Sequence, residues 1–201
     1  MPEWISEASP RRLARIAGLV AWITTSAGFA VMVRGRLIVY DDAAATAHNI
    51  LAHQLQYRLA FTGDIIALLY IAYTLILYKL FKPVNRNISL LAAVMSLMGC
   101  GIETFNALFH IAALVVLTSG QSLSAFSVGQ LQALALMFLK LNAQGAEIGM
   151  VLFGSYNLMV GYLIFRSTFL PRILGGLLAI SGACYLFNCF RSLSRLFSKP
   201  T

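Results

Sequence analysis

The sequence predicts an all-α bundle of about five membrane-spanning helices with two short outer amphipathic helices, and three observations lead to this fold class. Of the 201 residues, 59% are hydrophobic and only 11% are charged. The mean hydropathy of +0.79 lies well above that of soluble globular domains. Lys and Arg gather at the ends of long apolar runs, as they do beside transmembrane helices. We therefore expect one integral membrane domain.

The positive charge of the chain is consistent with this class. A net charge of +8 would suggest a nucleic-acid ligand in a soluble protein. Here the basic residues border apolar runs, where they would meet anionic lipid headgroups. We therefore expect membrane lipids as partners and no nucleic acid.

Five apolar segments approach the roughly 20 residues that a helix needs to cross the hydrocarbon layer. The predicted spans are 13–33, 59–80, 88–117, 146–165 and 173–190. Basic residues or prolines follow four of them, such as Arg34 after the first span and Lys82 with Pro83 after the second, and a polar loop follows the third. The fifth span is the shortest of the set.

Two other segments are too short and too polar to cross, and they predict amphipathic helices at the membrane surface. The first follows an N-cap at Asp41 or Asp42 and runs to about Tyr57. Its predicted apolar face consists of Ala44, Ala47, Leu51 and Leu55. The second begins at Ser127 and Gln130, which have the spacing of a capping box. Its predicted apolar face consists of Leu131, Leu134, Phe138 and Leu141.

The distribution of Lys and Arg predicts the orientation. The N-terminus, the turn after the second span and the turn after the fourth hold most of the positive charge, which favours the cytoplasmic side for all three. Both amphipathic helices then lie outside. The basic tail with Arg191, Arg195 and Lys199 opposes this arrangement, since an odd number of spans sends it outward.

The third predicted span carries a polar stripe. Gly99, Glu103, Asn106 and His110 fall within a sector roughly 60° wide on a helix of 100° per residue. A carboxylate near the middle of a span must be protonated or partnered, so this face should point into the bundle. Other spans contribute further polar residues. The predicted polar pocket consists of Glu103, Asn106, His110, Asp64, Glu147 and Asn157.

Two interpretations of this pocket stay open. It could bind a headgroup, a proton, a metal ion or a small polar ligand, or its residues could only hydrogen-bond between helices at about 0.6 kcal/mol per bond. His110, Glu103 and Glu147 are ligand types that zinc accepts. However, HExxH motifs, EF-hand loops and histidine boxes are absent from the sequence. No metal or cofactor is therefore assigned.

Several segments together resemble a known family. They are RGRLIVYDDAAATAHNILA with the following YRL, the KPVN turn, FSVGQLQALALMFL and GYLIFRSTFLPRILGGLL. The sequence resembles, over about 14–186, a bacterial multi-pass membrane family catalogued as domain of unknown function 4386. The resemblance implies the bacterial inner membrane, and it implies no activity, substrate, cofactor or catalytic residue.

The leading functional hypothesis is a non-enzymatic accessory, binding or assembly component, because almost no chain is predicted outside the membrane. Its expected partners are lipids and either a larger membrane complex or further copies of the chain. The alternative is an intramembrane enzyme or small transporter. In that case Glu103 would carry a proton or act as base, with His110 as its acid–base partner. Asp64 or Glu147 would supply a ligand or counter-charge.

Overall fold

The computed structural model describes residues 10–66, 68–119 and 123–198, and its regular elements are α-helices. They are α1 (Pro10–Gly35), α2 (Ala43–Ala52), α3 (Gln54–Ile66), α4 (Leu69–Phe81), α5 (Arg86–Thr118), α6 (Val128–Arg166) and α7 (Arg172–Ser198). No strand occurs within the described residues. The predicted all-α class is confirmed.

Within the described residues, four helical segments are long and apolar enough to cross a membrane. They are Gln54–Phe81, Arg86–Thr118, Val128–Arg166 and Arg172–Ser192. Each contains one of the last four predicted spans. The first predicted span, 13–33, lies within α1, which is not one of these four segments. A fifth crossing therefore stays a prediction.

Large apolar side chains point outward on α1 and on α7, as expected where lipid replaces water. Trp22, Phe29, Ile173 and Phe187 are each about 70% exposed on the protein surface. Soluble domains rarely expose contiguous apolar surface on this scale, because burying such groups drives their folding. The exposed faces therefore suit the hydrocarbon layer.

The start of α2 follows the sequence signal, but its end does not. Asp42 is the N-cap, and its carboxylate accepts a hydrogen bond from the backbone N–H of Ala45 at 2.9 Å. The helix stops at Ala52 and α3 begins at Gln54. The predicted continuation to Tyr57 was wrong, because Tyr57 belongs to α3 and to the apolar segment Gln54–Phe81.

Of the apolar face predicted for the first amphipathic helix, only Ala47 is buried against the protein. Thr46, Ala47 and Ile50 are buried, whereas Ala44, Leu51 and Leu55 are exposed. The Thr46 hydroxyl explains the difference. It accepts from the backbone N–H of Val39 at 2.9 Å and donates to the Val39 carbonyl at 2.8 Å, which turns this face toward the preceding loop.

The second predicted amphipathic helix is not a separate element. Its capping box is confirmed: the Ser127 N–H donates to Gln130 Oε1 at 2.8 Å, and the Gln130 N–H donates to Ser127 Oγ at 3.3 Å. From there α6 runs unbroken for 39 residues to Arg166. The polar stretch 142–145, taken as a boundary, contains no proline, and Asn142 finds partners without leaving the helix.

The chain divides into two compact units. The described part of the first unit comprises 10–22, 69–101 and 147–198, and its core includes Leu80, Phe81 and Leu163. The described part of the second comprises 23–66, 68, 102–119 and 123–146. The second core includes Ile50, Tyr57 and Leu139.

In the first unit, α6 and α7 approach each other closely at two pairs of glycines. A Cβ built on Gly161 would lie 2.8 Å from the carbonyl oxygen of Gly175. A Cβ built on Gly182 would lie 2.6 Å from the carbonyl oxygen of Gly154. Small residues at helix interfaces allow this approach in membranes, where van der Waals packing drives association. These positions accept only glycine at the present helix separation.

We expect Gly161→Ala and Gly182→Ala each to lower the free energy of unfolding by about 1–3 kcal/mol, since the added methyl group overlaps backbone that cannot move without separating the helices. Thermal unfolding in detergent measures this. Gly176→Ala is the matched control on α7, because its Cβ would meet only the Phe165 ring at 3.8 Å. Equal melting temperatures for all three variants would contradict the proposed close packing.

Candidate functional site

The candidate site is centred on Arg34, the basic residue in the last turn of α1. A cation is favoured at a helix C-terminus, but this side chain is also only 10% exposed, so it needs partners. Its Nη1 donates to Asp64 Oδ2 at 3.2 Å, and its Nη2 donates to Asn142 Oδ1 at 3.3 Å. We call Arg34, Asp64, His110 and Asn142 the Arg34 cluster.

Asp64 supplies the counter-charge from α3. The buried face of this helix carries Tyr57, Ala60 and Gly63, and Asp64 follows at its edge with a side chain that is 16% exposed. Asp64 therefore neutralises Arg34 inside the second unit. Losing water costs each ion several kcal/mol, so such a pair persists only when both partners are present and well placed.

His110 lies fully buried against this ion pair. Its Nδ1 is 2.5 Å from Arg34 Nη1 and 2.5 Å from Asp64 Oδ2. The guanidinium can only donate and the carboxylate accepts when ionised, whereas Nδ1 carries either a proton or a lone pair. The imidazole therefore pairs with Asp64 in one tautomer and with Arg34 in the other, so its proton position is tied to the ion pair.

The second ring nitrogen of His110, Nε2, lies in an apolar setting between two aromatic rings. Nε2 is buried and makes no hydrogen bond among the described residues. The rings of Tyr57 and Phe61 pack edge-on against the imidazole, at centroid distances of 4.5 and 5.7 Å. The Tyr57 hydroxyl donates to the His110 carbonyl at 2.8 Å. These α3 contacts fix the backbone and the ring of His110 together.

A reciprocal amide pair joins α5 to α6 beside the cluster. Asn106 Nδ2 donates to the Asn142 carbonyl at 2.8 Å, and Asn142 Nδ2 donates to the Asn106 carbonyl at 2.9 Å. Gly145 leaves room for this arrangement, because a Cβ there would lie 2.5 Å from Asn106 Oδ1. Asn142 thus holds Arg34 with its side-chain oxygen and α5 with its side-chain nitrogen.

The second unit brings together part of the predicted pocket. Asp64 and His110 are in contact, and Asn106 lies one turn before His110 on α5 and binds Asn142. Glu103 is half-buried two turns before His110. Its carboxyl group interacts with the Asn106 side chain and with the charges of Asp64 and Arg34, so Glu103 lies beside the Arg34 cluster.

The other two predicted residues belong to the first unit. Glu147 accepts a hydrogen bond from the Ser192 hydroxyl of α7 at 2.6 Å, and Asn157 is buried on α6. Among the described residues, no three His, Cys, Asp or Glu side chains converge as a metal ligand set.

Arg34 and Asn142 were missed from the sequence. An arginine that ends an apolar run is ordinarily explained by its position at the membrane border, so Arg34 gave no separate signal. Asn142 did carry one. On a continuous helix it shares a face with Ala135 and Leu139, both buried, and reading α6 as unbroken would have placed it inward.

The family comparison agrees with the resemblance found in the sequence. A family model described as Domain of unknown function (DUF4386) matches residues 16–199. The chain belongs to this family. No curated protein and no solved structure matches the chain. Because the DUF4386 description carries no activity, function must be argued from the Arg34 cluster itself.

We expect Arg34→Met to lower the free energy of unfolding by about 3 kcal/mol, because it leaves the Asp64 carboxylate buried without its counter-ion. Asp64→Leu should lower it by a similar amount, because it leaves the Arg34 guanidinium buried without its counter-ion. The double variant should cost clearly less than the sum, since neither charge then stays unpaired. Unfolding in detergent measures all three variants.

Arg36→Met is the matched control for this prediction. Arg36 is exposed two residues after Arg34, so its loss removes the same charge without burying another. The Arg36→Met variant should have the same melting temperature as the parent protein. Strictly additive losses in the double variant would show that Arg34 and Asp64 do not act as a pair.

Proposed function

We propose that the protein is a non-enzymatic accessory or assembly component of the bacterial inner membrane, with its N-terminus in the cytoplasm. The observation that carries this proposal is the internal pairing of the Arg34 cluster. Its two charges satisfy each other, and its four residues come from α1, α3, α5 and α6. Such polar bonds fix the four helices relative to one another, so that their outer faces keep a constant arrangement. We call this arrangement a clamp between helices.

The short connections support an action within the membrane plane. The connections 36–42, 82–85 and 167–171 are each seven residues long or less, so they leave little chain for binding soluble partners. The outer faces are instead rich in exposed aromatic and aliphatic side chains. Such faces suit lipids and other membrane helices, so assembly within the bilayer is the role that this surface favours.

The charge distribution supports the proposed orientation. Lys82 and Arg86 border the α4–α5 turn, and Arg166 and Arg172 border the α6–α7 turn. All four are exposed, as a cytoplasmic position next to anionic lipid requires.

The second candidate function is a proton-linked transporter or an intramembrane enzyme, and His110 is the specific observation in its favour. Its Nδ1 lies between the Asp64 carboxylate and the Arg34 guanidinium, while its buried Nε2 has no hydrogen-bond partner in the described part of the chain. Histidine is the residue best suited to exchange protons near neutral pH. Proton transfer through this ring would have to change the pairing of Arg34 with Asp64, which gives the candidate a defined chemical signature.

Affinity purification from native membranes tests the first proposal. We expect the tagged protein to retain specific membrane proteins in mild detergent, and Asp64→Asn and His110→Gln to lower both the melting temperature and this retention. Mass spectrometry identifies the retained proteins. Thr62→Val is the matched control, because the Thr62 hydroxyl bonds only its own helix backbone at Arg58.

A flux measurement separates the two candidates. Purified protein in liposomes with an imposed pH gradient should show no proton flux above that of empty liposomes if the cluster is a clamp. Proton flux that His110→Gln abolishes while the melting temperature stays unchanged would overturn the accessory role and favour the transporter. Retention of no membrane protein by the parent chain would also count against assembly.

A further inference from the structure

The first unit contains an apolar cleft that the Arg34 cluster does not use. Its volume is about 430 Å³, within the range of about 300–1,000 Å³ that is typical of small-molecule sites. Residues from α1, α4, α6, α7 and the turn before α7 line it, and none of the lining residues is charged. Tyr73 has the only polar side chain among them. The cleft therefore suits a hydrocarbon occupant.

The wall that α1 contributes consists of small residues. Ala14, Ala17, Gly18 and Ala21 recur at helical spacing on one face and line the cleft. A Cβ built on Gly18 would meet no atom within 4 Å, so the space in front of this wall is open. Leucines form most of the facing walls from α4 and α7. A flexible chain could lie along this surface without displacing a side chain.

One end of the cleft is bordered by basic turns. The lining residue Phe81 directly precedes Lys82, and the lining residue Leu170 stands two positions before Arg172. The rings of Phe81 and Phe169 stack at a centroid distance of 5.8 Å, which brings the α4–α5 and α6–α7 turns together. We call the exposed side chains of Arg15, Lys82, Arg86, Arg166 and Arg172 the basic rim.

No acidic side chain opposes this rim in the described part of the first unit except Glu147. Glu147 lies 19 positions before Arg166 on α6, roughly 28 Å along the helix axis. It is also already bonded by Ser192. Within the described residues of the first unit, the rim therefore presents positive charge with no acidic neighbour at the mouth of an apolar cleft.

We propose that the cleft binds an anionic phospholipid of the surrounding bilayer, with one acyl chain along the small-residue face of α1 and the phosphate on the basic rim. The occupant must be apolar over the length of the cleft and negatively charged at one end, and such a lipid has both properties. A second copy of this chain would bring an identical positive rim against the first, and the two rims would repel each other. A second copy is therefore a less suitable occupant than the lipid. The proposal concerns the first unit and is independent of the function assigned to the Arg34 cluster.

Native mass spectrometry of the full chain in mild detergent tests this site. Phosphatidylglycerol and phosphatidylcholine with identical acyl chains are added at equal concentration, and each bound lipid is counted. We expect the parent protein to retain phosphatidylglycerol preferentially. Gly18→Leu should fill the cleft and reduce retention of both lipids at least about tenfold, since leucine occupies the space of the acyl chain.

Gly28→Leu is the matched control on the same helix. A Cβ at Gly28 also meets no atom within 4 Å, but this residue does not line the cleft. Its lipid retention and melting temperature should equal those of the parent. Because Gly18→Leu also adds its side chain to open space, it should fold, and thermal unfolding checks this.

The headgroup is tested separately with Lys82→Gln and Arg172→Gln. Each should reduce the preference for phosphatidylglycerol by about fivefold, while phosphatidylcholine binding stays unchanged. Lys140→Gln, which removes an exposed charge from the second unit, is the control.

Three results would overturn the proposal. Equal retention of phosphatidylglycerol by Gly18→Leu and the parent would show that the lipid lies elsewhere. Equal preference after removal of the rim charges would show that the headgroup does not bind there. A protein dimer that Gly18→Leu dissociates would place a second copy in the cleft instead of a lipid.

Discussion

The buried ion pair between Arg34 and Asp64 is the interaction on which the arrangement of the second unit depends. Each charge would be costly alone among apolar side chains, so the ends of α1 and α3 are held where the two meet. His110 on α5 and Asn142 on α6 each contact the Arg34 guanidinium. The reciprocal amide bonds with Asn106 then lock the same two helices to each other. Each of the four helices therefore contributes one residue to the cluster and is held by the bonds of that residue.

The helices of the first unit are held together by different interactions. In lipid, apolar side chains gain little by leaving their surroundings for a neighbouring helix, so close fit and hydrogen bonds must hold helices together. Here α6 and α7 meet through backbone contacts at Gly161 and Gly182. The buried hydroxyls of Thr74 and Ser96 add a bond of 2.6 Å between α4 and α5. The second unit thus relies on charge and amide pairing, and the first on close backbone approach at glycines and a hydroxyl bond.

The sequence allowed the fold class and the local caps to be predicted, because hydropathy and capping act over a few residues. The N-cap at Asp42 is an example. The sequence also indicated Asp64 and His110, since an ionisable group in an apolar run must have a partner. The sequence could not indicate Arg34, because only the fold brings that side chain to a histidine 76 positions away. Asn142 was lost for a simpler reason: a polar stretch was taken for a helix end.

The unbroken length of α6 has a consequence of its own. Its 39 residues extend about 58 Å, whereas the hydrocarbon layer is about 30 Å thick. A helix longer than the hydrocarbon layer meets this hydrophobic mismatch by tilting, by kinking or by projecting into the headgroup layer. The thickness of the host bilayer therefore becomes a determinant of how this helix lies.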